Sequence, residues 1–293
     1  MSIASEIKDS FKHGSALTRL IYVNIGLFLA IHLIRLVLFI GRYPDSIFQS
    51  IVDFLCVPSA PGALLLKPWT LITYMFTHVD FIHLLFNILY IYWFGRIFME
   101  LIGQRLLLWA YLLGGLSGAL FYVVFFNLIS ASGTMLGASA SAMAILFAVA
   151  MYRPNYQLNL MFIGAVRIKY VALVLLLIDL ISISNMQNTG GHVAHIGGAI
   201  CGLVFARMLL AGTITSPPER KRERKPLFLF GKKGRMKVTH KRPLTDMEYN
   251  AIKTRRKREV DRILDKVKQS GYDSLSKDEK KTLFDASKDE GLY

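Results

Sequence analysis

Four residues of this chain have the types and placing that acyl-transfer chemistry needs. His83 and Asn87 lie early in the apolar run 80–99, Ser139 near the start of the run 137–152, and His195 early in the run 191–211. A serine hydroxyl becomes a useful nucleophile only with a base within hydrogen-bond reach. Histidine suits that task because its pKa of about 6.5 lets it take and return a proton at neutral pH. Attack on a peptide carbonyl also builds an oxyanion, which needs fixed donors. A neutral His83 N–H, the Asn87 amide and the Ser139 backbone N–H are candidates. His83 and Asn87 are four residues apart and therefore share one helical face. No carboxylate is expected at the depth of His195, so the sequence predicts a Ser139/His195 dyad.

The elements that must position these groups are membrane helices. Of the 293 residues 53% are hydrophobic and only 19% charged, whereas a soluble chain carries about a quarter charged residues. The apolar residues cluster into stretches long enough to cross a hydrocarbon core of about 30 Å. Six spans are predicted, over 20–40, 80–99, 105–127, 137–152, 168–186 and 191–211. The fold class is therefore all-α, a polytopic six-helix bundle with a helical tail. Lys8, Lys12 and Arg19 precede span 1, Arg105 separates spans 2 and 3, and Arg153, Arg167 and Lys169 separate spans 4 and 5. Segments 128–136 and 187–190 carry no charge. The positive-inside rule then puts both termini in the cytoplasm and the starts of spans 2, 4 and 6 outside, with the cell (inner) membrane as the expected location. At about 1.5 Å per residue, His83, Asn87, Ser139 and His195 fall at one shallow depth below the outer surface. Polar side chains at such depth are functional candidates, since lipid penalises them when they are unpaired.

Small residues accompany the polar ones. Gly198 and Gly202 form a GxxxG beside His195, which permits close helix approach. Gly137 and Ala138 are small enough to let span 6 come near span 4. The 41–80 segment is half apolar but broken by Pro58, Pro61 and Pro68. It reads either as a segment packed on the bundle in the interface or as an ordinary outer loop.

Taken together, His78-x4-His83-x3-Asn87, Gly137-Ala138-Ser139 and Ala194-His195-x2-Gly198-x3-Gly202, with Trp69 upstream of His78, resemble the rhomboid intramembrane serine proteases over roughly residues 15–212. The resemblance implies a six-helix bundle with a water-filled cavity opening outward, and cleavage of membrane-anchored proteins within or beside their transmembrane helices. It also implies independence of cofactor, metal and ATP. By position it makes Ser139 the nucleophile, His195 the base, and His83 and Asn87 the oxyanion donors. Three positions depart from the family pattern. Ala140 replaces the last glycine of Gly-x-Ser-Gly, Thr70 replaces the arginine after the tryptophan, and Met143 replaces an aromatic residue.

Other polar residues have plainer readings. Ser117 sits in a literal Gly-x-Ser-Gly string (115–118), but near the middle of span 3, and is read as a packing residue. His78 and His192 are read as interface or supporting histidines. Asp179, deep in span 5, is read as paired or protonated within the bundle, with a proton-relay role as the alternative. Cys56 and Cys201 suggest neither a disulfide framework nor a zinc site.

The domain reading is 1–18 cytoplasmic segment, 19–212 six-helix domain, 213–243 basic linker and 244–293 cytoplasmic helical hairpin. Residues after 212 hold 23 of the 35 Lys and Arg, in a chain of net charge +15. An anionic lipid surface is thus a candidate partner for the tail, beside transmembrane substrates for the bundle. No nucleic-acid partner is expected, because aromatic and glycine-rich recognition motifs are lacking. The competing functions are a rhomboid-like pseudoprotease that binds helices without cutting them, and a transporter built around Asp179.

Overall fold

The computed structural model describes residues 3–160, 163–185, 188–215, 259–268, 270, 271, 274–276, 278–280, 282 and 283. By contact the chain falls into two units, residues 1–221 and 222–293.

In the first unit, α1 (Ile3–His13) leads into α2 (Ala16–Ile40), whose start is set by Ser15, with Oγ accepting from Thr18 N at 3.1 Å. The side-chain acceptor satisfies one of the four orphan N–H groups at a helix start. There follow α3 (Asp45–Leu55), β1 (Val57–Pro58), α4 (Pro61–Leu66), α5 (Thr70–Thr73) and a 3-10 turn over Tyr74–Phe76. Next come α6 (Phe81–Leu101), α7 (Gln104–Leu128), β2 (Thr134–Met135) and α8 (Ser139–Tyr152). A hairpin of β3 (Gln157–Leu160) and β4 (Gly164–Arg167) precedes α9 (Ile168–Ser182), and α10 (Thr189–Leu210) closes the bundle. Helices α2, α6, α7, α8, α9 and α10 thus occupy the six predicted spans, and the chain is an all-α integral membrane protein.

Four of these, α2, α6, α7 and α10, are each long and apolar enough to cross a membrane. The other two are shorter than predicted, 14 residues for α8 and 15 for α9, or about 21–22 Å at 1.5 Å per residue. Helix α8 is wrapped by its neighbours, every residue from Ala140 to Ala150 being buried. A central helix screened from lipid has no need to span the full hydrocarbon thickness.

The segment between α2 and α6 packs on the bundle rather than looping away. Phe48 and Val52 of α3 are buried with Ile31 of α2 and Cys56. Val57 pairs with Met135 and Pro58 with Thr134, tying this segment to the chain just ahead of α8. Tyr74 donates to the Gly115 carbonyl at 2.6 Å, and Tyr111 of α7 donates to the Met75 carbonyl at 2.8 Å. At Thr70, where the family pattern has arginine, the side chain is buried and its hydroxyl donates to the Lys67 carbonyl. Trp69 Nε1 to Phe54 O (2.8 Å) and Thr73 Oγ1 to Leu55 O (2.7 Å) hold the segment together without an arginine.

Of the second unit, the described residues include a helix over 259–268. Ile263 is buried, while Leu264 is 41% exposed. Gly271 takes φ +78°, the left-handed cap that ends helices. Ser276 and Glu279 make a reciprocal capping box, and Lys266 donates to the Glu279 carboxylate. The linker 213–243 lies almost wholly outside the described residues.

Candidate active site

Ser139 is the first residue of α8. The first backbone bond of that helix runs from Ala142 N to Ala138 O, so the N–H groups of Ser139, Ala140 and Ser141 precede any intrahelical acceptor. They form a positive helix end of the kind that stabilises developing negative charge.

The loop before α8 is held at two successive backbone N–H groups. Gly137 N donates to Tyr74 O at 2.9 Å, and Ala138 N to His78 Nε2 at 3.4 Å. His78 is fully buried, and its Nδ1 lies 3.3 Å from Phe76 O. An imidazole that donates through Nδ1 and accepts through Nε2 is neutral. Burial, and secondarily the charge of nearby His83, accordingly pulls His78 down to about 4. Gly137 has φ +115°, a conformation that disfavours any L side chain, and a Cβ there would sit 2.9 Å from His83 Nε2 and 3.9 Å from Asn87 Nδ2. Gly137, expected to ease the approach of α10, therefore makes room for the α6 side chains instead.

His83 and Asn87 come from the first two turns of α6. Asp80 caps that helix, its carboxylate accepting from His83 N at 2.7 Å. Asn87 is buried and donates one amide hydrogen to the His83 carbonyl at 3.0 Å, leaving its second hydrogen for the site.

His195 reaches this place through the seam between α8 and α10. A methyl group at Gly198 would overlap the Ala140 carbonyl, and one at Gly202 the Ala144 carbonyl. The two helices therefore run parallel, backbone on backbone. One turn before Gly198 this register brings His195 to the Ser139 end of α8. The structure thus gathers Ser139, His83, Asn87 and His195 at one end of the bundle.

It adds a carboxylate. Asp179 of α9 is buried, and its Oδ1 lies 2.8 Å from His195 Nδ1 and 2.8 Å from His192 Nδ1. The expectation that no carboxylate reaches His195 is overturned. Span 5 was predicted to run to residue 186, but α9 ends at Ser182, so Asp179 lies within a turn of the helix end, level with the first turns of α10. Hydrogen bonds from two imidazoles also account for Asp179 without any transport role.

The departures from the family motif also find their places. The Ala140 methyl points at α7, where a Cβ on Gly118 would stand 2.5 Å from it. The space for Ala140 is thus supplied by the last glycine of the 115–118 string. Ser117 donates to the Gly197 carbonyl at 2.7 Å, a packing contact between α7 and α10. Met143 is buried in the core.

A family model described as the Rhomboid domain matches residues 66–212, half of the chain. The chain belongs to the rhomboid family. A second model, a family of unknown function (DUF6576), matches residues 245–289. Among curated proteins, this rhomboid chain is similar to RHOMBOID-like protein 12, mitochondrial, of Arabidopsis thaliana, at 29% identity over 154 residues, 47% of this chain and 46% of that protein. It is also similar to Presenilin-associated rhomboid-like protein A, mitochondrial, of Danio rerio, at 27% identity over 132 residues, 44% of this chain and 34% of that protein. The likeness therefore spans less than half the length of either relative.

Proposed function

We infer that this rhomboid is an intramembrane serine endopeptidase that cleaves membrane-anchored proteins within or near their transmembrane helices. Ser139 attacks the scissile carbonyl and passes its proton to His195 Nε2. Asp179 accepts from His195 Nδ1, fixing the tautomer that leaves Nε2 free as base and stabilising the imidazolium that forms. The oxyanion is received by the Ser139 N–H, the free Asn87 amide hydrogen and His83. His195 then returns its proton to the leaving amine, and water attacks the acyl-enzyme by the same route in reverse. The observation that carries this reading is the 2.8 Å contact between Asp179 and His195, on the α10 turn that the Gly198–Ala140 contact sets against Ser139.

The distribution of cationic loops supports a topology with both termini cytoplasmic and the site opening to the outer side. The basic linker is suited to an anionic inner leaflet.

Purified full-length protein, treated with a fluorophosphonate and in parallel with a model transmembrane substrate, tests the assignment. Wild type and Ser141→Ala should label and cleave, and Ser139→Ala should do neither. Equal cleavage by Ser139→Ala would remove Ser139 from the mechanism. Neither labelling nor cleavage by wild type across varied substrates would make the chain a helix-binding pseudoprotease instead.

A further inference from the structure

Orienting a catalytic base takes one carboxylate and one imidazole. This site has a second imidazole, His192, which proton transfer from Ser139 to His195 does not use. His192 and His195 are three residues apart on α10 and present Nδ1 to the same Asp179 oxygen, at 2.8 Å each. The three ligand-type atoms lie within 4.8 Å of one another. The carboxylate is 7% exposed and each imidazole 19%, so the cluster is sheltered yet reachable by a small ion. We propose that Asp179, His192 and His195 form an inhibitory binding site for Zn²⁺.

The donor set selects the ion class. Two imidazole nitrogens and one carboxylate suit zinc, whereas Mg²⁺ and Ca²⁺ favour all-oxygen shells. Metal–ligand bonds of about 2.0–2.1 Å in a tetrahedron put ligand atoms about 3.3 Å apart. Each 2.8 Å N···O edge would open by about half an ångström, and a water would complete the fourth position.

Inhibition follows from the tautomers, and this part rests on the serine-protease reading above. In the catalytic form His195 carries its proton on Nδ1 and keeps the Nε2 lone pair for the Ser139 hydroxyl. Zinc takes the Nδ1 lone pair, so the ring proton must reside on Nε2. A ring protonated there cannot accept the Ser139 proton. His192 makes the same exchange, one proton leaving Nδ1 and one taken up at Nε2, so neither ring gains or loses a proton overall.

Full-length protein purified in detergent on a histidine-free tag would be titrated with Zn²⁺ against a chromogenic chelator. One Zn²⁺ per chain is expected, with Kd of about 10 µM or below and no competition from Mg²⁺. Ser139→Ala should bind as wild type does, while His192→Gln and Asp179→Asn should each bind at least about tenfold more weakly. Glutamine keeps an amide donor for Asp179, and helicity by circular dichroism with monodisperse elution verifies folding. Fluorophosphonate labelling of wild type should fall on adding Zn²⁺ and return with EDTA, and that fall should be absent in His192→Gln. Wild-type binding weaker than about 100 µM, or variants that bind like wild type, overturns the site. Binding that leaves labelling unchanged overturns the inhibition. Because binding to Ser139→Ala needs no proteolysis, failure of the protease reading and failure of the zinc site give different results.

Discussion

On the protease reading proposed above, Asp179 decides the chemistry at the scale of single residues. A serine–histidine pair needs its imidazole in one tautomer, and a carboxylate 2.8 Å from His195 Nδ1 enforces it. Asp179→Asn presents either an oxygen or an NH₂ group to that nitrogen, and the NH₂ selects the tautomer with its proton on Nε2. We expect kcat to fall by roughly 10²–10⁴-fold with KM changed little, because substrate contacts stay in place. Steady-state cleavage of a model transmembrane substrate checks this, and a loss confined to KM would contradict it. Membrane burial makes Ser139, His83, Asn87 and His195 legible in the sequence, because each is a polar residue at a matched depth in an apolar run. Asp179 is equally conspicuous, yet its partner is not legible. Depth is counted from a predicted helix end, and four residues' error there moves a side chain by about one turn. The support that buried His78 gives the Ala138 N–H is hidden for a related reason, since it depends on how a loop folds back.

At the scale of elements, the site depends on how closely α7, α8 and α10 approach. Gly118 accommodates the methyl of Ala140, and Gly198 lies directly on the α8 backbone. The GxxxG of α10 was readable, but the matching of Gly118 to Ala140 joins two distant segments and needs the packed structure. Gly118→Ala should destabilise the bundle by about 1–3 kcal/mol through overpacking. Adding Ala140→Gly should recover part of that loss, because the two methyl groups compete for one space. Gly198→Ala should not be rescued this way, since its neighbour is a main-chain carbonyl. Thermal unfolding in detergent measures all of these, and additive effects at 118 and 140 would refute the pairing.

The segment ahead of α6 supplies a pH signature. His78 is depressed from 6.5 to about 4 when folded, so between those values the unfolded chain binds a proton that the folded chain refuses. This contribution is level above pH 6.5 and is lost as pH falls toward 4, by up to roughly 3 kcal/mol. His78→Gln removes this titration, and its unfolding temperature should drop less than that of wild type between neutral pH and about pH 4.5. Equal drops would mean that His78 takes up its proton without penalty.

The whole molecule separates into a rhomboid domain and a C-terminal unit that a different family model matches. Every side chain and backbone group assigned to the site, from Tyr74 through Asp179 to Gly202, lies in the first unit. So does Ile214, which packs on the hydrophobic core just past the end of α10. In the second unit, the described capping box of Ser276 and Glu279 and the Lys266–Glu279 bridge are local contacts. A chain ending at Thr215 keeps Ile214 and should fold as the full protein does. Its Ser139 should react with a fluorophosphonate at a rate within about twofold of full length, as expected when a domain has its own core. Binding to vesicles containing anionic lipid should weaken in the same truncation, because 23 of the 35 cationic residues lie beyond residue 212. A truncated chain that stays folded but labels more than about tenfold slower would show that the C-terminal unit acts on the site, contrary to the independence expected of a self-contained core.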